Sequence, residues 1–182
     1  MRDKFTNRAY FEGYLARSIF KLKSIDNKFK IFKRGDQVLD LGASPGSWSQ
    51  YVLEKGGTVD AVDIDRLKVK DVNFIKADFL KDSIFEKIKS KYDIVISDAA
   101  PNTTGILDTD NYRSFELSSR ALEIANKVLN KDGKFVCKIF QSSYFDEFRK
   151  EMKKIFKTVK TVKPEASKKK SKEMYLVGFN KV

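Results

Sequence analysis

The stretch Gln37–Gln50, QVLDLGASPGSWSQ, decides the fold. Val38 and Leu39 are a short apolar run, Asp40 stands where it ends, and Gly42, Ala43, Ser44, Pro45 and Gly46 make a small-residue turn. A helical pattern with Trp48, Tyr51, Val52 and Leu53 follows at once, so the unit reads strand, glycine loop, helix. Such a loop admits a ligand close to the backbone, and the N-terminus of the helix offers free N–H groups to an anion. The spacing is D-x-G-x-x-P-G, not the G-x-G-x-x-G of a dinucleotide fold. An acidic residue in the first strand and a proline in the turn suit a cofactor with a carboxylate and an ammonium group and no phosphate, such as S-adenosylmethionine. Alone, the stretch would also pass for an ordinary βα turn. Asp63 tips the balance, because it closes a second strand (58–62) where a carboxylate in this fold class takes the ribose hydroxyls of an adenosine cofactor.

The same alternation runs through the chain. Strands are expected at 72–76, 92–97, 134–140, 158–163 and 173–179, with a loop at 103–110 and a long helix at 112–130 between the fourth and fifth strands. Strands separated by helices argue for a mostly parallel sheet with helices on both faces, and ligands gather at the carboxyl ends of such strands. Asp40, Asp63, Asp78 and Asp98 all fall at or near those ends. One such aspartate is usually a turn former; four in succession at one edge read as a site.

The composition narrows the chemistry. The chain has 182 residues, enough for one well-buried core, and carries 37 Lys and Arg against 25 Asp and Glu, a net charge of +12 that favours a polyanionic partner such as nucleic acid. It has no histidine, so imidazole catalysis and histidine metal sites are excluded and a general base must be Lys, Asp, Glu or Tyr. Its single cysteine, Cys137, lies in an apolar strand and reads as packing. No apolar run is long enough for a membrane span, and the N-terminus lacks a signal-peptide pattern, which sets the expectation of a cytoplasmic protein.

Residues 1–34 carry ten Lys or Arg and precede a core at 35–182. Residues 7–25 have the periodicity of one amphipathic helix, with Phe11, Leu15, Ser18 and Leu22 on one side and Tyr10, Tyr14, Arg17 and Lys21 on another. Rings interleaved with cations suit stacking on bases and pairing with phosphates, although a plain solvated face would look the same. Lys138 sits inside the apolar run Phe135–Phe140, and Glu173 opens the last strand after the basic run Lys168, Lys169, Lys170 and Lys172. Asp98, Lys138 and Glu173 are expected to meet at one sheet edge beside Lys21, where a desolvated lysine crowded by a second cation would serve as a base.

These residues carry a resemblance. EGYLARSIFKL (12–22), DLGASPGSWSQ (40–50), SDAAPN with Gly105 (97–102), CKIFQ (137–141) and KPEASKKKSKEMYLV (163–177) resemble, in order and spacing, the FtsJ/RrmJ (RlmE-type) ribose 2′-O-methyltransferases over essentially the whole chain. The resemblance implies a single domain of the class I, Rossmann-like methyltransferase fold. That fold is a three-layer α/β sandwich on a seven-stranded, mostly parallel sheet whose last strand is antiparallel. It puts the family's K-D-K-E tetrad on Lys21, Asp98, Lys138 and Glu173. S-adenosylmethionine falls to Asp40, Gly42, Ala43, Pro45, Gly46, Trp48, Asp63, Ile64, Asp78, Phe79 and Asp98. It also implies a monomer that needs no metal and acts on RNA, with a uridine of large-subunit ribosomal RNA as the expected target. Transfer RNA, a non-catalytic role in ribosome assembly and a small-molecule substrate are the alternatives. Two departures bear on RNA affinity: Leu15 stands where the family commonly has an arginine, and KPxASR continues here as KPEASKKK, which trades a planar fork for point charges.

Overall fold

A computed structural model describes residues 4–167 and 171–182. Seven strands, β1 (Gln37–Leu41), β2 (Thr58–Asp63), β3 (Asn73–Lys76), β4 (Tyr92–Ser97), β5 (Leu129–Phe140), β6 (Phe156–Val162) and β7 (Glu173–Lys181), form one sheet in the order β3-β2-β1-β4-β5-β7-β6. The first five pair in parallel, while β7 runs antiparallel to both β5 and β6. The order reverses between β1 and β4, and at such a switch point the flanking connections leave on opposite faces and open a crevice above the strand ends.

Period-two alternation sends successive strand residues to opposite layers. Val38, Ile94, Ile96 and Val177 join one core beneath α2 (Ile19–Phe29) and α3 (Ser47–Glu54). Leu39, Val95, Phe135 and Leu176 join the other, beneath α4 (Ile84–Lys87), α5 (Leu107–Val128) and α6 (Phe145–Ile155). Both faces of the sheet are thus covered, in the three layers expected of a class I methyltransferase.

Three elements depart from the sequence reading: β5 begins at Leu129, which pairs with Tyr92, and not at the expected Lys134, so the helix before it ends at Val128. The single helix expected over 7–25 is two: α1 (Lys4–Phe11) stops, and α2 starts eight residues later. Gly13 turns the chain with φ +81°, and Tyr14 N–H closes the turn on Ala9 O at 2.8 Å. The expected faces dissolve with it. Phe11, placed on one side with Leu22, is 92% exposed where Leu22 is buried, and Tyr14, read as an RNA-stacking ring, is buried with its hydroxyl donating to Glu54 at 2.8 Å. The long helix begins at Leu107, inside the expected loop, because the Asp110 carboxylate accepts from Thr104 N–H, Thr104 Oγ1 and Gly105 N–H and fixes the first turn.

Candidate active site

At the carboxyl edge of β1, the glycine turn has no room for side chains. A Cβ on Gly42 would stand 2.7 Å from Ala99 Cβ, and one on Gly46 2.6 Å from Val69 Cγ1. Both have left-handed φ (+75° and +115°), and Gly46 is the residue from which α3 starts. Asp63, the last residue of β2, locks the turn by accepting Ser44 N–H and Asp65 N–H, each at 2.8 Å. Above lies an open crevice of about 560 Å³, lined by Gly42, Asp63, Ile64, Asp78, Phe79 and Asp98 among others. Its floor is held from below by Arg120, which donates to Phe79 O at 3.0 Å and to Asp82 at 2.8 Å. A narrower recess continues from the crevice, lined by Asp40, Gly42, Ala43, Trp48 and Asp98, while Pro45 stays in the turn itself and accepts Lys68 N–H.

Asp40 closes the recess. It is fully buried, receives Ser49 Oγ at 2.7 Å, and has its pKa pushed up to about 7 by burial and by the charges of Asp98 and Asp63, against the pull of Ser49. Its carboxyl therefore changes protonation near neutrality.

Beside the recess stands a compact charged cluster. Lys138 Nζ, 5% exposed, donates to the Asp98 carbonyl at 2.6 Å and lies 3.0 Å from Asp98 Oδ1 and 3.9 Å from Glu173 Oε1. Lys21 Nζ bonds the other oxygen, Glu173 Oε2, at 2.7 Å. All four tetrad residues therefore form one chain of contacts, drawn from α2, the end of β4, β5 and β7. The second cation meets the cluster through Glu173, so the crowding of Lys138 by Lys21 that the sequence implies takes this bridged form.

Sequence reasoning missed Tyr175. It is fully buried, pairs directly opposite Lys138 in the β5–β7 ladder, and donates its hydroxyl to Asp98 Oδ1 at 2.6 Å. Burial and the Asp98 charge hold its pKa well above the ordinary 10, so it stays a donor. The signal was available: two residues after Glu173 in a strand, Tyr175 had to share its face. Cys137, by contrast, is packing as expected, buried with its thiol pushed up to about 12 by burial.

The N-terminal segment is joined to the cofactor loop through α3. Trp48 Nε1 donates to Ser18 O at 2.9 Å, Ser18 and Ser47 hydroxyls meet at 2.9 Å, and Gln50 Oε1 accepts Leu15 N–H at 3.0 Å. Arg17 reaches the Ala166 carbonyl at 2.6 Å, and Tyr10 is about half exposed. Of the four residues read as an RNA-facing row, Tyr14 and Lys21 are thus committed inward. Lys168, Lys169 and Lys170 lie outside the described residues, and Lys172 leads into β7. Among the described residues no group of His, Cys, Asp and Glu is placed to hold a metal ion, and no helix is long and apolar enough to cross a membrane.

A sheet ordered β3-β2-β1-β4-β5-β7-β6 with one antiparallel strand, and a glycine-walled crevice at its switch point, defines a class I methyltransferase. The family model described as FtsJ-like methyltransferase matches residues 14–181, and the chain belongs to that family, whose members take their methyl group from S-adenosylmethionine. Among similar proteins, the ribosomal RNA large subunit methyltransferase E of Bdellovibrio bacteriovorus is 50% identical, over 99% of this chain and 97% of its own. The protein of the same name from Methanothermobacter thermautotrophicus is 43% identical, over 97% and 89%. A Plasmodium falciparum crystal structure described as a ribosomal RNA methyltransferase superposes with a TM-score of 0.82 at 28% identity, covering 92% of this chain and 98% of that one. A Methanococcus jannaschii fibrillarin, at 22% identity and TM-score 0.61, shares the fold.

Proposed function

We propose that this protein methylates the 2′-hydroxyl of a ribose in large-subunit ribosomal RNA, with a uridine as the target nucleotide. The observation that carries the reading is the buried Lys138–Asp98–Glu173–Lys21 cluster at the end of the glycine-walled crevice, in a chain whose similar proteins are named for large-subunit ribosomal RNA.

The residues present fit the cofactor. The crevice is walled by Gly42, which tolerates no Cβ, and carboxylates stand along it at Asp63, Asp78 and Asp98, with Asp40 in the recess. S-adenosylmethionine, when bound, supplies an electrophilic methyl group on a sulfonium. Asp63, already rigid through two backbone N–H groups, keeps lone pairs for ribose hydroxyls. Ile64 and Phe79 offer apolar surface for an adenine, and Asp78 a polar edge. Trp48 and Ala43 shape the recess, where Asp40 would pair with the ammonium group, while Pro45 and Gly46 set the course of the turn.

Lys138, in its neutral amine form, would hold the substrate hydroxyl and take up its proton, becoming the ammonium that Asp98 and Glu173 pair with. Asp98 fixes Lys138 by two contacts and is fixed in turn by Tyr175. Glu173 couples Lys138 to Lys21, which reaches the site from α2 and aligns the ribose.

Asp40 makes cofactor binding depend on pH. Only its ionised form pairs with an ammonium, so affinity should fall by up to about tenfold per pH unit below about 7 and level off above it. Calorimetric titration of the cofactor from acidic to mildly alkaline pH checks this, and Asp40→Asn should flatten the profile at uniformly weak affinity. Stability should move the opposite way. Because the folded-state pKa is raised from 3.8 to about 7, the folded chain binds the proton more tightly, and stability falls as pH rises through that window.

The substrate is tested by methyl incorporation from labelled cofactor into purified large subunits, naked ribosomal RNA and bulk tRNA side by side, with the labelled nucleotide mapped. Labelling at a uridine ribose of the large subunit is expected. Efficient labelling of tRNA with subunits inert would overturn the choice.

A further inference from the structure

A second cavity, about 550 Å³ and unconnected with the cofactor crevice, opens between α1, α2 and the turn at 165–166. Its walls carry Arg8, Lys23 and Lys28, opposed within the lining only by Glu165, and its apolar part is formed by Phe5 and Phe20, whose rings lie 5.7 Å apart. Arg8 spreads over the Phe20 ring at 4.6 Å. Glu12 holds Arg8 Nε at 2.6 Å and Lys23 Nζ at 3.5 Å, which sets two cations in place instead of leaving them to sweep through solvent.

The cavity is tied to the reacting cluster by one rigid element. Lys21, Ser24 and Lys28 recur at i, i+3 and i+7 along α2, so they follow one side of the helix, and the last stands about 10 Å from the first at 1.5 Å per residue. Lys21 is fixed on Glu173, and Ser24 and Lys28 line the cavity. Ala166, also in the lining, accepts from Arg17, two residues ahead of α2. A strand of RNA whose target ribose lies at Lys138 therefore meets this cavity one or two nucleotides away.

We infer that the cavity is a binding site for a single-stranded nucleotide flanking the methylated one, its phosphate held by Lys23 and Lys28 and its base laid on the exposed Arg8 guanidinium, which the buried Phe20 ring backs. Cations spaced around aromatic and guanidinium faces grip backbone and stack any base, so the site contributes affinity and register with little sequence preference. It also accounts for how a chain with Tyr14 turned inward would still engage RNA from its N-terminal side: through Arg8, Lys23 and Lys28.

The proposal rests on the RNA methyltransferase reading, and the test separates the two. Lys23→Gln/Lys28→Gln keeps the stems and removes two charges far from Lys138. With large subunits and with naked large-subunit ribosomal RNA, the variant should show a KM for RNA raised about tenfold. Its slope of log affinity against log salt should be lower by about 1–2, with turnover at saturating RNA and cofactor affinity unchanged. Unchanged KM and salt slope, with wild type active, would overturn the site alone. Loss on subunits with naked RNA binding unaffected would make the occupant a protein and overturn it equally. No labelling by wild type on any RNA would overturn the substrate reading and this site with it.

Discussion

Lys138→Ala should lower methyl transfer by about 10²–10⁴-fold, the range that positioned proton transfer contributes, while leaving cofactor affinity nearly unchanged. The asymmetry follows from geometry, since Lys138 faces Asp98 and Glu173 at the substrate end and lines neither the crevice nor the recess. Single-turnover transfer to RNA alongside cofactor titration measures both quantities. Near-normal turnover in the variant would remove Lys138 from the mechanism. Lys138→Arg should fail almost as badly, because guanidinium does not release its proton and its planar fork does not fit where one Nζ meets a carbonyl at 2.6 Å.

Asp98→Ala should damage everything at once. It strands the fully buried Tyr175 hydroxyl, deprives a 5%-exposed lysine of its nearer carboxylate, and removes a wall shared by the crevice and the recess. Leaving a buried charge uncompensated costs about 3–5 kcal/mol, which in a chain of this size is a melting point lower by about 10 °C. Asp98→Asn keeps the volume and an acceptor for Tyr175, so it should recover most of the melting point and little of the turnover. Thermal melts and transfer assays on the pair distinguish the two losses; an Asp98→Ala protein that melts and turns over like wild type would dissolve the cluster as a functional unit.

The sheet was legible because its pattern is local. Apolar runs ending in Asp40, Asp63 and Asp98 are strands capped at one edge whatever packs around them, and a glycine turn leading into Trp48 has few other uses. The tetrad was legible for a related reason: a lysine within Phe135–Phe140 needs a carboxylate, and topology limits which can reach it. What failed was helix continuity near the N-terminus. Periodicity runs straight through Gly13, and only tertiary bonds such as those of Tyr14 and Leu15 to α3 make the break stable. Tyr175 was hidden because an aromatic in a strand reads as core, which it is, until its hydroxyl is paired across the sheet. The early start of α5 depends on Asp110 gathering a loop that composition alone calls irregular.

The stitching of residues 13–18 onto α3 has an evolutionary corollary. Ala9, Tyr14, Ile19 and Leu22 are part of the same buried cluster as the sheet residues Val38 and Ile94, and the helix that follows brings Lys21 to Glu173. An N-terminal arm built this way is not a cassette. It cannot be exchanged for another recognition module by recombination without dismantling the catalytic set, so diversification of targets in such a lineage must proceed by point substitution on the arm's outer face or by extensions added beyond it.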